Sequence, residues 1–188
     1  MPAALISASV TEQSDDGKTC YLVLHDYGMG GLWWWIHARS PEEILETYAE
    51  VEVVSTLQAV QRAETWSLDE IDIDAPGPNP LTAFRAQRQA QRTQPGFGAL
   101  AGRERIHLRW NDDEPEDDSQ YLLELGHDGR RLRQVEQHPD GTSTNTDPDD
   151  WLFNPPIDLY DPKLASMEIS PQEFEDAWNL APRRDASE

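Results

Sequence analysis

Residues 25–37, "HDYGMGGLWWWIH", gather two imidazoles, a carboxylate and a phenol around three glycines. Side chains of these types can pass protons, and a glycine-rich turn can bring backbone N–H groups up to a phosphate. The phosphate reading requires the glycines to open a helix. Here they stand between two aromatic and β-branched runs, "TCYLVLHDY" and "LWWWIHAR", which predicts a β-hairpin. A two-residue turn at Met29-Gly30 pairs His25 with Trp34, Val23 with Ile36 and Tyr21 with Ala38. His25 and Asp26 then project to opposite faces, and Cys20 lies on the face away from His25, so neither forms a dyad. His25 and Tyr27 remain as an edge that could line a cleft between two modules.

Other site chemistries lack their patterns. There is no HExxH, no paired-cysteine spacing and no G-x-S-x-G, and "DDEPEDDS" and "DEIDID" do not reproduce an EF-hand loop. No metal and no cofactor is implied, and the acidic runs read as solvated charge. Arg85, Arg88 and Arg92 share one helical face in a stretch, residues 75–103, that holds no acidic residue. With 15 Lys plus Arg against 36 Asp plus Glu, the net charge is −21, which repels phosphate backbones and anionic membranes. These arginines are therefore expected to pair with the chain's own acidic loops, and nucleic acid is disfavoured as a partner.

The tryptophan triplet follows from the hairpin. Neighbours on a strand point to opposite sides, so Trp34 turns one way while Trp33 and Trp35 turn the other. The Trp33 and Trp35 face also carries Leu22 and Leu24, with Cys20, Asp26, His37 and Arg39 around them. It is either buried against another layer or partly open as a binding patch with a polar rim. Trp66, Trp110, Trp151 and Trp178 stand where elements need core anchors.

Several elements must position these residues. Residues 1–17 read as a loose arm. Residues 18–75 read as a hairpin-plus-helix module, with a helix opening at "SPEEILETYAEVEVV", where Ser40 caps, Pro41 takes the first turn and Glu43 completes a capping box. Ile44, Leu45 and Tyr48 form its apolar stripe. A second short helix, "STLQAVQRAETW", turns Leu57, Val60 and Ala63 inward, and "DEIDIDAPGPNP" reads as a loop. Residues 76–103 read as a linker with the arginine-bearing helix. Residues 104–182 form a β-meander and a C-terminal helix, with Leu125 opposite Leu132, Leu122 opposite Val135 and Glu124 opposite Arg133. That last helix repeats the cap with Ser170, Pro171 and Glu173, and residues 183–188 are a tail. The fold class is α+β: antiparallel sheet, hairpin plus meander, with helices packed on one face.

The lone Cys20 excludes an internal disulfide and fits a reducing, cytoplasmic compartment. No stretch approaches the roughly 20 apolar residues that a membrane span needs.

"IHLRWNDDEPEDD", "RRLRQVEQHPDG" and "MEISPQEFEDAW" together resemble a small uncharacterised bacterial domain that closes on an I-S-x-x-E-F-E-x-x-W helix. The resemblance covers about residues 104–180, and the first half looks like hypothetical actinobacterial proteins. Small acidic proteins of this kind look like immunity or antitoxin partners, so the resemblance implies a binding role with no catalytic residues to carry over. The expected function is thus a non-enzymatic acidic binding protein, an immunity-type inhibitor covering a basic partner. Its contact residues are Trp33, Trp35 and the cluster Asp112, Asp113, Glu114, Glu116, Asp117 and Asp118. Two alternatives stand beside it: a small-molecule-binding protein or enzyme with an inter-module cleft, and a structural or phage-related interaction protein.

Overall fold

The glycine-linked runs do form a hairpin, β1 (Thr19–Asp26) and β2 (Gly31–Ala38), in a computed structural model that describes residues 17–28, 30–111 and 119–183. Its register differs from the expectation by two residues: Val23 faces Trp34, Tyr21 faces Ile36 and His25 faces Leu32. The connection spans residues 27–30 instead of two residues. Tyr27 N donates to Gly30 O at 3.2 Å, and Gly28, at φ 84°, donates to the Asp26 carboxylate at 2.7 Å. A slip of two leaves every side chain on its expected face, so Trp34 still opposes Trp33 and Trp35.

Two short strands extend the hairpin into a four-stranded sheet of order β3-β1-β2-β4, with β3 at Glu52–Val54 and β4 at Glu70–Asp72. Both correct the sequence reading, which named no strand in the stretch opening at Ser40 and took residues 69–80 as loop. The helix α1 (Pro41–Thr47) stops at Tyr48, and Glu50 adopts φ 55° before the chain turns into β3. The alternation Ile71, Asp72, Ile73, in β4 and just past its end, buries both isoleucines, and the strand runs parallel to β2. The Ser40 hydroxyl accepts from Glu43 N, as the cap predicts. The Glu43 carboxylate reaches back to Arg39 N at 2.6 Å instead of to Ser40 N.

One face of this sheet closes over a core of Val23, Trp34, Ile36, Ile44, Tyr48, Ile71, Ile73 and Leu81. Helix α3 (Thr82–Arg92) adds Phe84, whose ring lies 6.1 Å from Trp34, and fastens itself through arginines. Arg85 donates to the Tyr48 hydroxyl at 2.6 Å and the Ile73 carbonyl at 2.7 Å, in place of the acidic-loop pairing expected. Arg88 is 1% exposed and donates to the Tyr48 carbonyl. A buried guanidinium with five donors can close the end of a helix whose carbonyls have no intrahelical partner. Helix α2 (Leu57–Ala63) covers part of the opposite face. Ala63 is buried there, but Leu57, expected inward, is 66% exposed.

The chain divides between Ala90 and Gln91 into two compact units. In the second, β5 (Arg105–Asn111), β6 (Gln120–Gly126), β7 (Arg131–Gln137) and β8 (Ser143–Thr146) form an antiparallel meander. Leu122 pairs with Val135 and Glu124 with Arg133, as expected. A bulge between Glu124 and Leu125 then sets Leu125 opposite Arg131 instead of Leu132. Gly129 at φ 81° makes the turn, and a Cβ there would stand 2.2 Å from the Ile157 carbonyl oxygen. Only glycine fits so tight a crossing.

Helix α4 (Pro171–Leu180) packs Phe174 against Leu122 and Val135 on one face of the meander. Leu100, Leu159 and Leu164 fill the other face against Ile106, Leu108, Leu123 and Leu125. The α+β class therefore holds in both units. Residues 76–103 are more than a linker, since they give Leu81 and Arg88 to the first core and Leu100 to the second.

Candidate functional site

Trp33 emerges from the second face of the hairpin beside α2. Its ring meets the edge of Trp66 at 5.5 Å, an edge-to-face contact at 73°. Trp33, Thr56, Gln58, Ala59, Arg62 and Trp66 line an open groove of about 450 Å³, within the size range of small-ligand sites. The Arg62 guanidinium lies over the Trp66 ring at 5.8 Å. Trp66, read from sequence as a core anchor, is 37% exposed and forms one wall. The chain places it there because α2 ends at Ala63, and Trp66 N then bonds back to Ala63 O at 2.9 Å.

The groove's polar groups are uncommitted. Thr56 stands at the N-cap of α2, yet its side chain makes no capping bond. Among the described residues, neither the Gln58 amide nor the Arg62 guanidinium makes a hydrogen bond or ion pair. Elsewhere basic side chains are paired: Lys18 with Asp72 and Asp74, Arg39 with Glu43 and Asp74, Arg133 with Glu124 and Glu175, and Arg183 with Asp147 and Asp150.

The remaining candidates fall elsewhere. Trp35 shares the face of Trp33 and is half-buried, but it sits between Leu22 and Glu70 and does not line the groove. His25 donates through Nδ1 to the Glu50 carbonyl at 2.8 Å and packs its ring 4.4 Å from Phe84, so it serves the core face. Tyr27 is 58% exposed in the turn, and neither it nor His25 lines the groove. The cluster Asp112, Asp113, Glu114, Glu116, Asp117 and Asp118 lies outside the described residues. Cys20, on the far side of the strand from His25, has its thiol pushed up to about 11 by burial and by the Glu70 carboxylate, so it stays protonated at neutral pH.

A second depression, of about 540 Å³, opens in the other unit beside Arg109, Trp110, Lys163, Met167 and Glu173. Its cations are occupied. Arg109 bonds Glu173 and Gln120, and Lys163 lies 3.4 Å from Asp161 and over the Trp110 ring at 5.4 Å. A buried ionic network stands on the α4 face of the same unit. Glu124, 7% exposed, accepts from Arg133 Nε at 2.5 Å, with Arg105 and His107 each 3.6 Å away. Arg133 also bonds Glu175 and spans the Phe174 and Trp178 rings at 4.9 and 5.0 Å. Burial raises the Glu124 carboxyl, but the Arg133 hydrogen bond and the charges of Arg133, Arg105 and His107 together outweigh it and hold the group below the usual carboxylate range. Glu124 ties β5, β6 and β7 together, and Arg133 carries the network to α4 through Glu175, so its role is structural.

Among the described residues no group of three or more His, Cys, Asp or Glu side chains could hold a metal ion, and no helix is long and apolar enough to cross a membrane. Comparison with family models, with curated proteins and with solved structures finds no match to this chain.

Proposed function

We propose that this chain is a non-enzymatic acidic binding protein that engages a basic protein partner in the cytoplasm, in the manner of an immunity-type inhibitor. The observation that carries this reading is the inward commitment of its basic side chains. Lys18, Arg39, Arg103, Arg105, Arg109, Arg133 and Arg183 are each spent on the chain's own carboxylates. The chain's own cations therefore leave the acidic surplus behind the net charge of −21 unneutralised. Such a field speeds encounter with a positive surface and slows it with a negative one, and aromatic contacts then lengthen the life of the complex. Trp33 and Trp66 supply the half-exposed aromatic contact, with Trp66 in the part expected of Trp35.

The test is affinity capture from the native host at low salt, with wild type and a Trp33→Ala, Trp66→Ala double variant. The expected captured protein is basic, elutes as salt is raised, and binds the variant at least tenfold more weakly, about 1.4 kcal/mol or more. Retention of nothing at low salt overturns the reading, and so does a partner held equally well at high salt without the two indoles.

A further inference from the structure

The Trp33–Trp66 groove holds a combination that an acidic, partner-binding surface does not explain. Its floor and wall are two indoles meeting edge to face at 5.5 Å. Its polar side chains are Thr56, Gln58 and Arg62, and none makes a hydrogen bond among the described residues. In a chain with more than twice as many acidic as basic residues, an arginine beside a carboxylate is the easy outcome. Arg62 instead lies 5.8 Å over the Trp66 ring, with its donors unspent. The other depression makes the contrast: there Arg109 and Lys163 are both next to carboxylates of the same unit.

We propose that this groove is a binding site for a small planar aromatic anion, a ring bearing one carboxylate or phosphate. The ring would lie against Trp33 and Trp66, where stacked or edge contacts add to plain apolar burial. The anionic group would accept from the Arg62 guanidinium, whose fork matches two oxygens at once, with the Thr56 hydroxyl and Gln58 amide as further donors. The groove's 450 Å³ suits a ligand of one or two fused rings. The net charge of −21 does not forbid this, because exposed charges more than about 8 Å away are largely screened at physiological salt, leaving the groove's own cation to decide. The same charge does forbid a long polyanion, whose many phosphates would meet the rest of the surface. The groove shares Trp33 and Trp66 with the basic-partner contact, but Arg62 and the small-ligand titration belong to it alone, so failure of one reading is distinguishable from failure of the other.

A shape-matched probe series separates the contributions: 1-naphthoate, neutral 1-naphthamide and cationic 1-naphthylmethylammonium. Each is titrated into the full ¹⁵N-labelled chain while the indole N–H resonances are followed, those of Trp33 and Trp66 being assigned with Trp33→Phe and Trp66→Phe variants. The expected result is saturable shifts at both indoles with 1-naphthoate, about tenfold weaker binding of the amide, and weaker binding still of the ammonium. Arg62→Gln is expected to remove the preference for the anion while leaving amide binding unchanged, and Arg62→Lys to restore part of it. Because Arg62 and Trp66 are exposed, these variants are expected to fold like wild type. The proposal is overturned if the ammonium binds as tightly as the anion, if the preference survives Arg62→Gln, or if shifts are absent or confined to other indoles.

Discussion

Each unit ties a helix to its sheet with an arginine laid on an aromatic ring, yet the two choose opposite kinds of acceptor. In the first, Arg85 of α3 lies 5.0 Å over the Tyr48 ring and donates to a phenol and a backbone carbonyl. In the second, Arg133 of β7 lies over Phe174 and Trp178 and donates to the carboxylates of Glu124 and Glu175. Neither hydroxyl nor carbonyl changes charge in acid, whereas both carboxylates do. The first clasp is therefore built to persist where the second must fail.

The largest way to break the comparison lies behind the Arg85 clasp. Arg88→Ala removes a side chain only 1% exposed, empties its volume and strips donors from the Tyr48 carbonyl. A loss of about 3–5 kcal/mol is expected in denaturant unfolding of the first unit. A midpoint like that of wild type would mean that the guanidinium is dispensable there.

Glu124→Gln is next. It leaves Arg133 with one carboxylate and removes the charge near Arg105 and His107, for an expected cost of about 2–3 kcal/mol in the second unit. Acid gives the same answer without mutation. Arg133, with Arg105 and His107, lowers the Glu124 carboxyl despite its burial, and Arg133 lowers Glu175 as well. Groups whose folded pKa is depressed contribute stability that is complete above their unfolded value, about 4.5, and is lost as pH falls through the folded value. Hydrogen exchange followed down from pH 6 should show α4 losing protection below about pH 4.5, and in Glu124→Gln this loss should shrink. Equal acid sensitivity in the two proteins would detach the network from α4's stability.

Gly129→Ala sharpens the comparison within the second unit, because it disturbs backbone while leaving the charges alone. A Cβ 2.2 Å from the Ile157 oxygen at φ 81° should cost about 2 kcal/mol and release the 157–164 segment, seen as faster exchange at Ile157 N, which donates to Gly129 O. The smallest effect belongs to the groove. Trp66→Leu, at a site already 37% exposed, should change stability by less than about 1 kcal/mol while removing the Trp33 ring contact. A larger loss would make Trp66 a core residue and count against an open site.

Much of the local structure was written in residue order. Ser40 and Ser170 cap their helices because a hydroxyl followed three residues later by a backbone N–H needs nothing from the rest of the fold. Trp34 is buried and its neighbours are turned away because strand alternation survives even a two-residue error in register. The meander's pairs at Leu122 and Glu124 follow from the turn near Gly129 and fail only past the bulge. What misled was the length of short elements: β3 and β4 each hold three residues, too few for periodicity to speak, and they form because β1 and β2 offer edges to pair with.

Sequence by itself thus determined the α+β class, the hairpin, the meander, the two capped helices and the placing of Trp33 away from the core, since each rests on interactions within a few residues or on the two-residue period of a strand. Only tertiary structure decided that Trp66 would join Trp33, that Arg62 would keep its donors while Arg85 and Arg88 spent theirs, and that Trp35 would lie outside the groove. Those outcomes depend on which groups meet across tens of residues, where burial and hydrogen-bond competition choose among many acids and carbonyls that look alike in one dimension.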